Sequence, residues 1–329
     1  MQTEHFSTSN QKQPLVSFIV TSYNLPVDLL RMCLDSILSL SLRAAEREII
    51  LIDDGSKQSP LPQLDFYVND IIYVRQANKG LSEARNTGIR VSSGQYIQFV
   101  DGDDMLIRHS YEHCLDIVRY KRPDMMLFDY TSQTETPTVC DDATAVSGTT
   151  FMRTQNLRGT AWGYLFRRSV LGELRFTPGI YHEDEEFTPQ LLLRCDSVVA
   201  TTAKAYLYRK RDDSIVNATS IRHRLKRLND FRSVIERLNK IADTLPTESR
   251  LALQRRVHQL AMDYIYNVIL LTQSRHYLDR QLKALHTMGL YPLPRRNYTK
   301  KYVWFRRLAN TEAGLSMLMR AIPLMKKER

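Results

Sequence analysis

Asp101, Asp103 and Asp104 place three carboxylates within four positions, directly after the apolar run Tyr96-Ile97-Gln98-Phe99-Val100. That run reads as a buried strand, bounded upstream by Ser93-Gly94. Carboxylates this close repel one another and are costly to desolvate unless a cation neutralises them. Hard oxygen donors suit Mg²⁺ or Mn²⁺, and such ions usually also hold phosphate oxygens. In an open α/β sheet, ligands bind beyond the carboxyl ends of the strands, which is where these acids fall. Taken alone, the same residues also read as a polar turn after a strand.

The elements that must position them are visible in the hydrophobic pattern. Leu15 to Thr21, Ile49 to Ile52, Ile71 to Val74 and Met125 to Phe128 are further short apolar runs, and Trp162 to Phe166 reads as another strand. Between the first two runs, Leu29, Leu30, Cys33, Leu34, Ile37 and Leu38 recur at helical spacing, and a helix from about Leu81 to Val91 leads into the acid-tipped strand. Ser82 can cap that helix. Strand–helix alternation over residues 15–130 argues for a mostly parallel, Rossmann-like sheet with helices on both faces. Beyond Ile221 the pattern changes to long helical periodicities such as Leu228, Phe231, Ile235 and Leu238.

With 329 residues, 43% hydrophobic and 25% charged, the composition is that of a globular protein. No GxxxxGK[ST] or GxGxxG follows the first strand, so no glycine-rich phosphate cradle is expected. The four cysteines (Cys33, Cys114, Cys140, Cys195) are widely spaced and read as buried small hydrophobes of a reducing cytoplasm. The first fourteen residues are polar and lack the apolar core of a secretory signal. The formal charge of +10 concentrates in Lys and Arg after Tyr208. No zinc-finger spacing or aromatic RNA-binding signature accompanies it, so nucleic acid is not expected as a partner.

Four segments line up in order: Val16–Asn24, Ile49–Ser56 with Asp53-Asp54-Gly55-Ser56, Asn78–Gly88, and the Asp101-Gly102-Asp103-Asp104 tip. Together they resemble the nucleotide-sugar-binding half of a family 2 glycosyltransferase of the GT-A fold. Tyr181-His182-Glu183-Asp184-Glu185-Glu186-Phe187 resembles the downstream acidic motif of that family. The Trp162 strand and Tyr208–Ile215 resemble later segments. The resemblance implies a polar tail over 1–13 and a GT-A domain over 14–217. That domain divides into a nucleotide-sugar-binding half, 14–130, and an acceptor half, 131–217, and a helical basic region over 218–329 follows it.

The resemblance also implies roles. Thr21 and Tyr23 would meet the nucleobase and ribose, and Asp54, with Asp53 beside it, would accept a hydrogen bond from the uracil imide. Asp53-Asp54-Gly55 reads equally as an Asx-type turn, and both can hold at once. Arg85, with Asn86 beside it, would bridge to the diphosphate or to the metal-site acids. Asp101 and Gly102 would face the ribose, Asp101 and Asp103 would hold the Mg²⁺ or Mn²⁺, and Asp104 would support them. Asp184 would be the base that deprotonates the acceptor, with Glu183 the weaker candidate. Four acids in the first turn of a helix also suit the helix dipole.

The reaction implied is an inverting transfer of a hexose or N-acetylhexosamine from a UDP-sugar to a saccharide or lipid-linked saccharide acceptor. The alternatives are a nucleotidyltransferase acting on sugar phosphates and a non-catalytic UDP-sugar-binding protein. The first would typically carry a glycine- and basic-rich loop where Ser22-Tyr23-Asn24-Leu25-Pro26 stands; the second would lack a catalytic acid. In the tail, Trp304, Phe305 and Tyr302 lie among basic residues, the composition of a segment in a membrane interface. Peripheral binding to the anionic inner face of the cytoplasmic membrane is therefore expected. A solvated basic face on capping helices, with Leu315, Leu318 and Ile322 turned inward, is the competing expectation.

Overall fold

The apolar run from Val16 to Ser22 forms strand β1 and is buried throughout, which explains why it shows no polar alternation. Phe18 and Val20 enter the core cluster shared by helices α1 (Val27–Leu38) and α3 (Arg108–Lys121). On the opposite face, Ile19 lies against Gly88 of α2 (Leu81–Val91), where a Cβ would collide with its side chain. The helices therefore cover both faces of the sheet. Leu30, Cys33, Leu34 and Ile37, spaced as one helical stripe, are fully buried.

The computed structural model describes residues 13–133, 144–209 and 220–327. Its further strands are β2 (Arg47–Asp53), β3 (Ile71–Arg75), β4 (Tyr96–Asp101), β5 (Met105–Leu106), β6 (Met125–Thr131), β7 (Tyr164–Arg167) and β8 (Val198–Leu207). They form one eight-stranded sheet in the order β3-β2-β1-β4-β7-β6-β8-β5. β3, β2, β1 and β4 run parallel, whereas β7 joins β4 and β6 antiparallel and β5 joins β8 antiparallel. The parallel half carries the four segments that run from Val16 to the Asp101-Gly102-Asp103-Asp104 tip.

Among the described residues the chain divides into two compact units that interleave along the sequence. The first holds the residues up to 144, 162–173 and 199–209; the second holds 145–161, 174–198 and those from 220 onward. The second unit contains α4 (Gly148–Thr154), α5 (Glu183–Leu192), α6 (Ile221–Thr244), α7 (Thr247–Thr272), α8 (Arg275–Thr287), α9 (Lys300–Ala309) and α10 (Glu312–Lys327). Residues 1–12, Cys140 and most of the Tyr208–Ile215 segment lie outside the described residues. Cys33, Cys114 and Cys195 are buried and form no disulfide among the described residues.

The tail helices face inward more than their composition suggests. Tyr302, Phe305 and Ala309 of α9 are buried, as are Leu315, Leu318 and Ile322 of α10. Two of the three aromatics behind the membrane expectation are thus core residues, while Trp304 stays 59% exposed. Among the described residues no helix is long and apolar enough to cross a membrane.

Candidate active site

Parallel register brings the motif residues to one level. Thr21 of β1 is level with Ile52 of β2 and with Asp101 of β4, and Ser22 is level with Asp53. Thr21, Asp53, Asp54 and Asp101 therefore share the carboxyl edge of the sheet, the place where open α/β sheets take ligands. Gly102 follows immediately and donates its N–H to the Thr21 carbonyl at 3.0 Å. A Cβ there would stand 2.7 Å from that same oxygen, so the approach of β4 to β1 requires glycine.

Both acids of the Asp53-Asp54 pair are buried and hydrogen-bonded. Asp53 accepts from the Ser56 amide at 2.9 Å and from the Tyr73 hydroxyl at 2.9 Å. Asp54 accepts from the Gln76 amide at 2.7 Å, the Lys79 N–H at 3.0 Å and the Gly80 N–H at 2.8 Å. A carboxylate offers about four lone-pair positions, so three protein donors leave room for one from a ligand. The Asx-type turn and a ligand-facing role are thus compatible.

The same contacts correct the capping of α2. The cap is Gly80 at φ 87°, not Ser82, which is buried inside the first turn. The turn needs a positive φ, and Asp54 takes the amides just before the helix in place of a local hydroxyl. Tyr23 stands 47% exposed on the loop after β1. That loop is held to the Asp53-Asp54-Gly55-Ser56 turn by Asn24 N–H on Ser56 Oγ and Lys57 N–H on Asn24 Oδ1. Asn86 is buried, close enough to Glu83 for a 3.5 Å contact.

At the acidic tip the three carboxylates have different surroundings. Asp101 pairs with the buried guanidinium of Arg85, Nη2 to Oδ1, at 3.1 Å. Asp103 is partly exposed. Asp104 is buried, accepting the Tyr206 hydroxyl at 2.9 Å and the Arg209 N–H at 2.8 Å. Burial, then the charge of Asp101, pushes Asp104 up to about 8. Asp104 is a bracket for the end of β8.

Sequence reasoning assigned nothing to Tyr206 or Arg209. Arg209 Nε and Nη2 are buried with no hydrogen-bond partner among the described residues, while its own backbone N–H is bound to Asp104. The only signal was the position of Arg209 in a segment resembling the family.

For a metal, the donors are hard carboxylate oxygens. Among the described residues no group of three or more ligating side chains is arranged as a cage. Mg²⁺ or Mn²⁺ needs none when one or two carboxylates share it with substrate phosphates. Asp101 and Asp103 fit that arrangement.

Glu183 and Asp184 belong to the second unit, in the first turn of α5. His182, at φ 65°, caps this helix in a left-handed conformation. Asp184 Oδ1 accepts its neighbour's amide, Glu185 N–H, at 2.8 Å. The acidic run then divides by function. Glu186 forms a two-pronged pair with Arg237 of α6, and Glu185 pairs with Arg256 of α7. These two acids fasten α5 to the helical region.

Residues 17–171 match the family model for glycosyl transferase family 2. Glycosyltransferase GlyA of Streptococcus pneumoniae is 29% identical over 271 residues, which cover 75% of this chain and 38% of GlyA. The chain likewise spans 63% and 62% of two further bacterial glycosyltransferases. Among solved structures, Staphylococcus aureus TarS 1–349 in complex with UDP-GlcNAc superposes with a TM-score of 0.66 at 15% identity, covering 95% of this chain and 92% of that one. The mannosyltransferase PcManGT of Pyrobaculum calidifontis, in complex with GDP-Man and Mn²⁺, gives 0.55 at 14% identity, covering 99% and 92%. In its motifs, in the family model it matches and in its GT-A-like fold, the chain resembles the family 2 glycosyltransferases.

Proposed function

We propose that the protein is a cytoplasmic inverting glycosyltransferase that moves a hexose or N-acetylhexosamine from a UDP-sugar to a hydroxyl of a saccharide acceptor in surface polysaccharide synthesis. The observation that carries this reading is the register that sets Thr21, Asp54 and Asp101 on one sheet edge, with Arg85 paired to Asp101. Tyr23 and Thr21 hold the base and ribose, and Asp54 takes the imide N–H with its remaining acceptor position. Arg85 and Arg209 supply positive charge toward the diphosphate. Asp101 and Asp103 would hold Mg²⁺ or Mn²⁺, which when bound acts as a Lewis acid on the leaving phosphate. Asp184 takes the proton of the attacking hydroxyl, and a single in-line displacement inverts the anomeric carbon.

TarS, bound to UDP-GlcNAc, supports the UDP assignment, and PcManGT, bound to GDP-Man and Mn²⁺, supports a divalent cation. GDP also offers a ring N–H to Asp54, so the base is decided by competition. UDP release from a panel of nucleotide-sugars tests the reading. Activity with UDP-sugars, lost in excess chelator and restored by Mn²⁺ or Mg²⁺, is expected; full activity in chelator would refute the metal role. Stronger competition by GDP than by UDP would move the donor to GDP-sugars.

Peripheral docking on an anionic membrane, which would bring the enzyme to a lipid-linked acceptor, rests on α9. Lys300, Trp304 and Arg307 recur at i, i+4 and i+7 and are all exposed.

A further inference from the structure

The first unit carries an aromatic cluster beside the acidic tip that the donor assignments leave unused. Trp162 stacks on Tyr206, with centroids 4.3 Å and planes 11° apart, and lies nearly parallel to Tyr208 at 6.0 Å. Tyr130 meets both edge-on, at 5.2 Å from Trp162 and 6.4 Å from Tyr208. Tyr206 is fully buried and its hydroxyl holds Asp104, so the cluster is anchored to the tip itself. Tyr208, two residues further along the chain, lies within the field of all three acids, which add to burial in pushing its phenol upward. Exposure grows outward: Trp162 and Tyr208 are partly buried, and Tyr130 is 38% exposed.

Sheet order separates this cluster from the nucleotide side. Thr21 lies on β1, Tyr23 just after it and Asp54 just after β2, on one side of β4. Tyr130 lies on β6, Trp162 just before β7, and Tyr208 just after β8, all on the other side of β4. A ligand whose nucleotide lies over β1 and β2 and whose phosphates reach Asp101 and Asp103 leaves the ring cluster for a second molecule. Flat, half-exposed rings next to carboxylates suit a ligand that is apolar on one face and rich in hydroxyls at its rim, which describes a pyranose ring. We infer that Tyr130, Trp162 and Tyr208 are the seat of the acceptor's terminal sugar ring. The inference rests on the glycosyltransferase reading and names the acceptor-binding part of that site.

Two measurements test it. In the first, acceptor-free UDP release and acceptor-dependent transfer are compared in Tyr130→Ala, Tyr130→Phe and wild type, using free β-linked oligosaccharides as acceptors. Tyr130→Ala should raise the acceptor KM by about fivefold to tenfold, the scale of one lost ring contact, while donor KM and acceptor-free release stay within about twofold. Tyr130→Phe should keep the wild-type acceptor KM. An unchanged acceptor KM in Tyr130→Ala, or a raised donor KM instead, overturns the inference.

The second measurement does not depend on turnover. The chain has two tryptophans, so Trp304→Phe leaves Trp162 as the sole indole reporter. Its fluorescence should shift with millimolar cellotetraose, chitotetraose or lactose, and in Trp304→Phe/Tyr130→Ala the same shift should need about fivefold to tenfold more sugar. No shift with any of the three overturns the seat even if UDP release is robust. A shift without release from any nucleotide-sugar would instead sink the transferase reading and leave a glycan-binding surface.

Discussion

Arg85 Nη2 lies 3.1 Å from Asp101 Oδ1, and the arginine side chain is only 3% exposed against 24% for the aspartate. The helix that follows the second motif thus reaches across to the tip of the fourth strand and fixes the one acid expected to touch both ribose and metal. Removing one partner of a buried pair leaves an uncompensated charge. Arg85→Gln should therefore lower stability by about 2–4 kcal/mol and raise donor KM, read by urea unfolding and by initial rates. Stability and KM both unchanged would show the pair to be incidental.

The division of the acidic run predicts opposite phenotypes for neighbours. Asp184→Asn should keep UDP-sugar binding and melting temperature near wild type while transfer falls about 100-fold or more, the usual scale of a lost general base. Glu186→Gln, which breaks the two-pronged pair with Arg237, should cost about 2 kcal/mol of stability and leave transfer largely intact in the folded fraction. If Glu183→Gln alone abolished transfer, the base would move to Glu183.

Two histidines of the second unit predict an acid-labile fold. Burial pushes His182 down to about 4, with Arg227 adding to the effect and Asp230 opposing it; the ring stacks on Phe231 at 4.3 Å. Burial, then Arg296, pushes His258 down to about 4, while its Nδ1 shares a 2.8 Å hydrogen bond with the Tyr298 hydroxyl. Both are neutral when folded, and the unfolded chain binds their protons from about pH 6.5 downward. Stability from these groups is complete above that pH and is lost as pH falls toward 4, by at most about 1.4 kcal/mol per pH unit for each. Melting temperatures at pH 7.5, 6 and 5 should fall in sequence, and His258→Asn should flatten the slope. A pH-independent melt over this range would exclude buried neutral imidazoles.

Membrane docking is better tested by surface changes than by truncation, because deleting α9 would also remove the buried Tyr302 and Phe305. Full-length protein should co-sediment with anionic vesicles at low salt and be released at high salt, since each basic residue near such a surface adds roughly 1 kcal/mol. Trp304→Ser with Arg307→Glu should lose that binding while melting normally. Equal sedimentation of both proteins would assign the basic stripe to solvation alone.

The strands and helices of the parallel half were readable because each is specified by its own short-range pattern: continuous burial in Val16–Ser22, a helical stripe at Leu30, Cys33, Leu34 and Ile37. The placement of Asp54 and Asp101 at strand ends followed from the same signal. What local pattern does not encode is pairing at long range. The Tyr206–Asp104 bond spans 102 positions and the Arg237–Glu186 pair spans 51, so neither left a mark on its neighbours in sequence. Arg85 was expected to bridge to the diphosphate or to the metal-site acids; helical spacing alone puts it off the apolar face, and only its partner on β4 explains its burial. In α9 the spacing of Tyr302, Phe305 and Ala309 at i, i+3 and i+7 did signal an inward face, but the surrounding lysines and arginines obscured it.

The bracket formed by Asp104 also bears on how this chain can be divided. The segment that matches the family model ends at residue 171, whereas Tyr206 and Arg209, which satisfy the buried Asp104 carboxylate, come after it. A fragment stopped there would lack β8, leaving β6 an open sheet edge and β5 without its neighbour. Family likeness and folding autonomy therefore have different boundaries in this protein. On a ribosome, the acidic tip can close only once the chain has grown past Arg209.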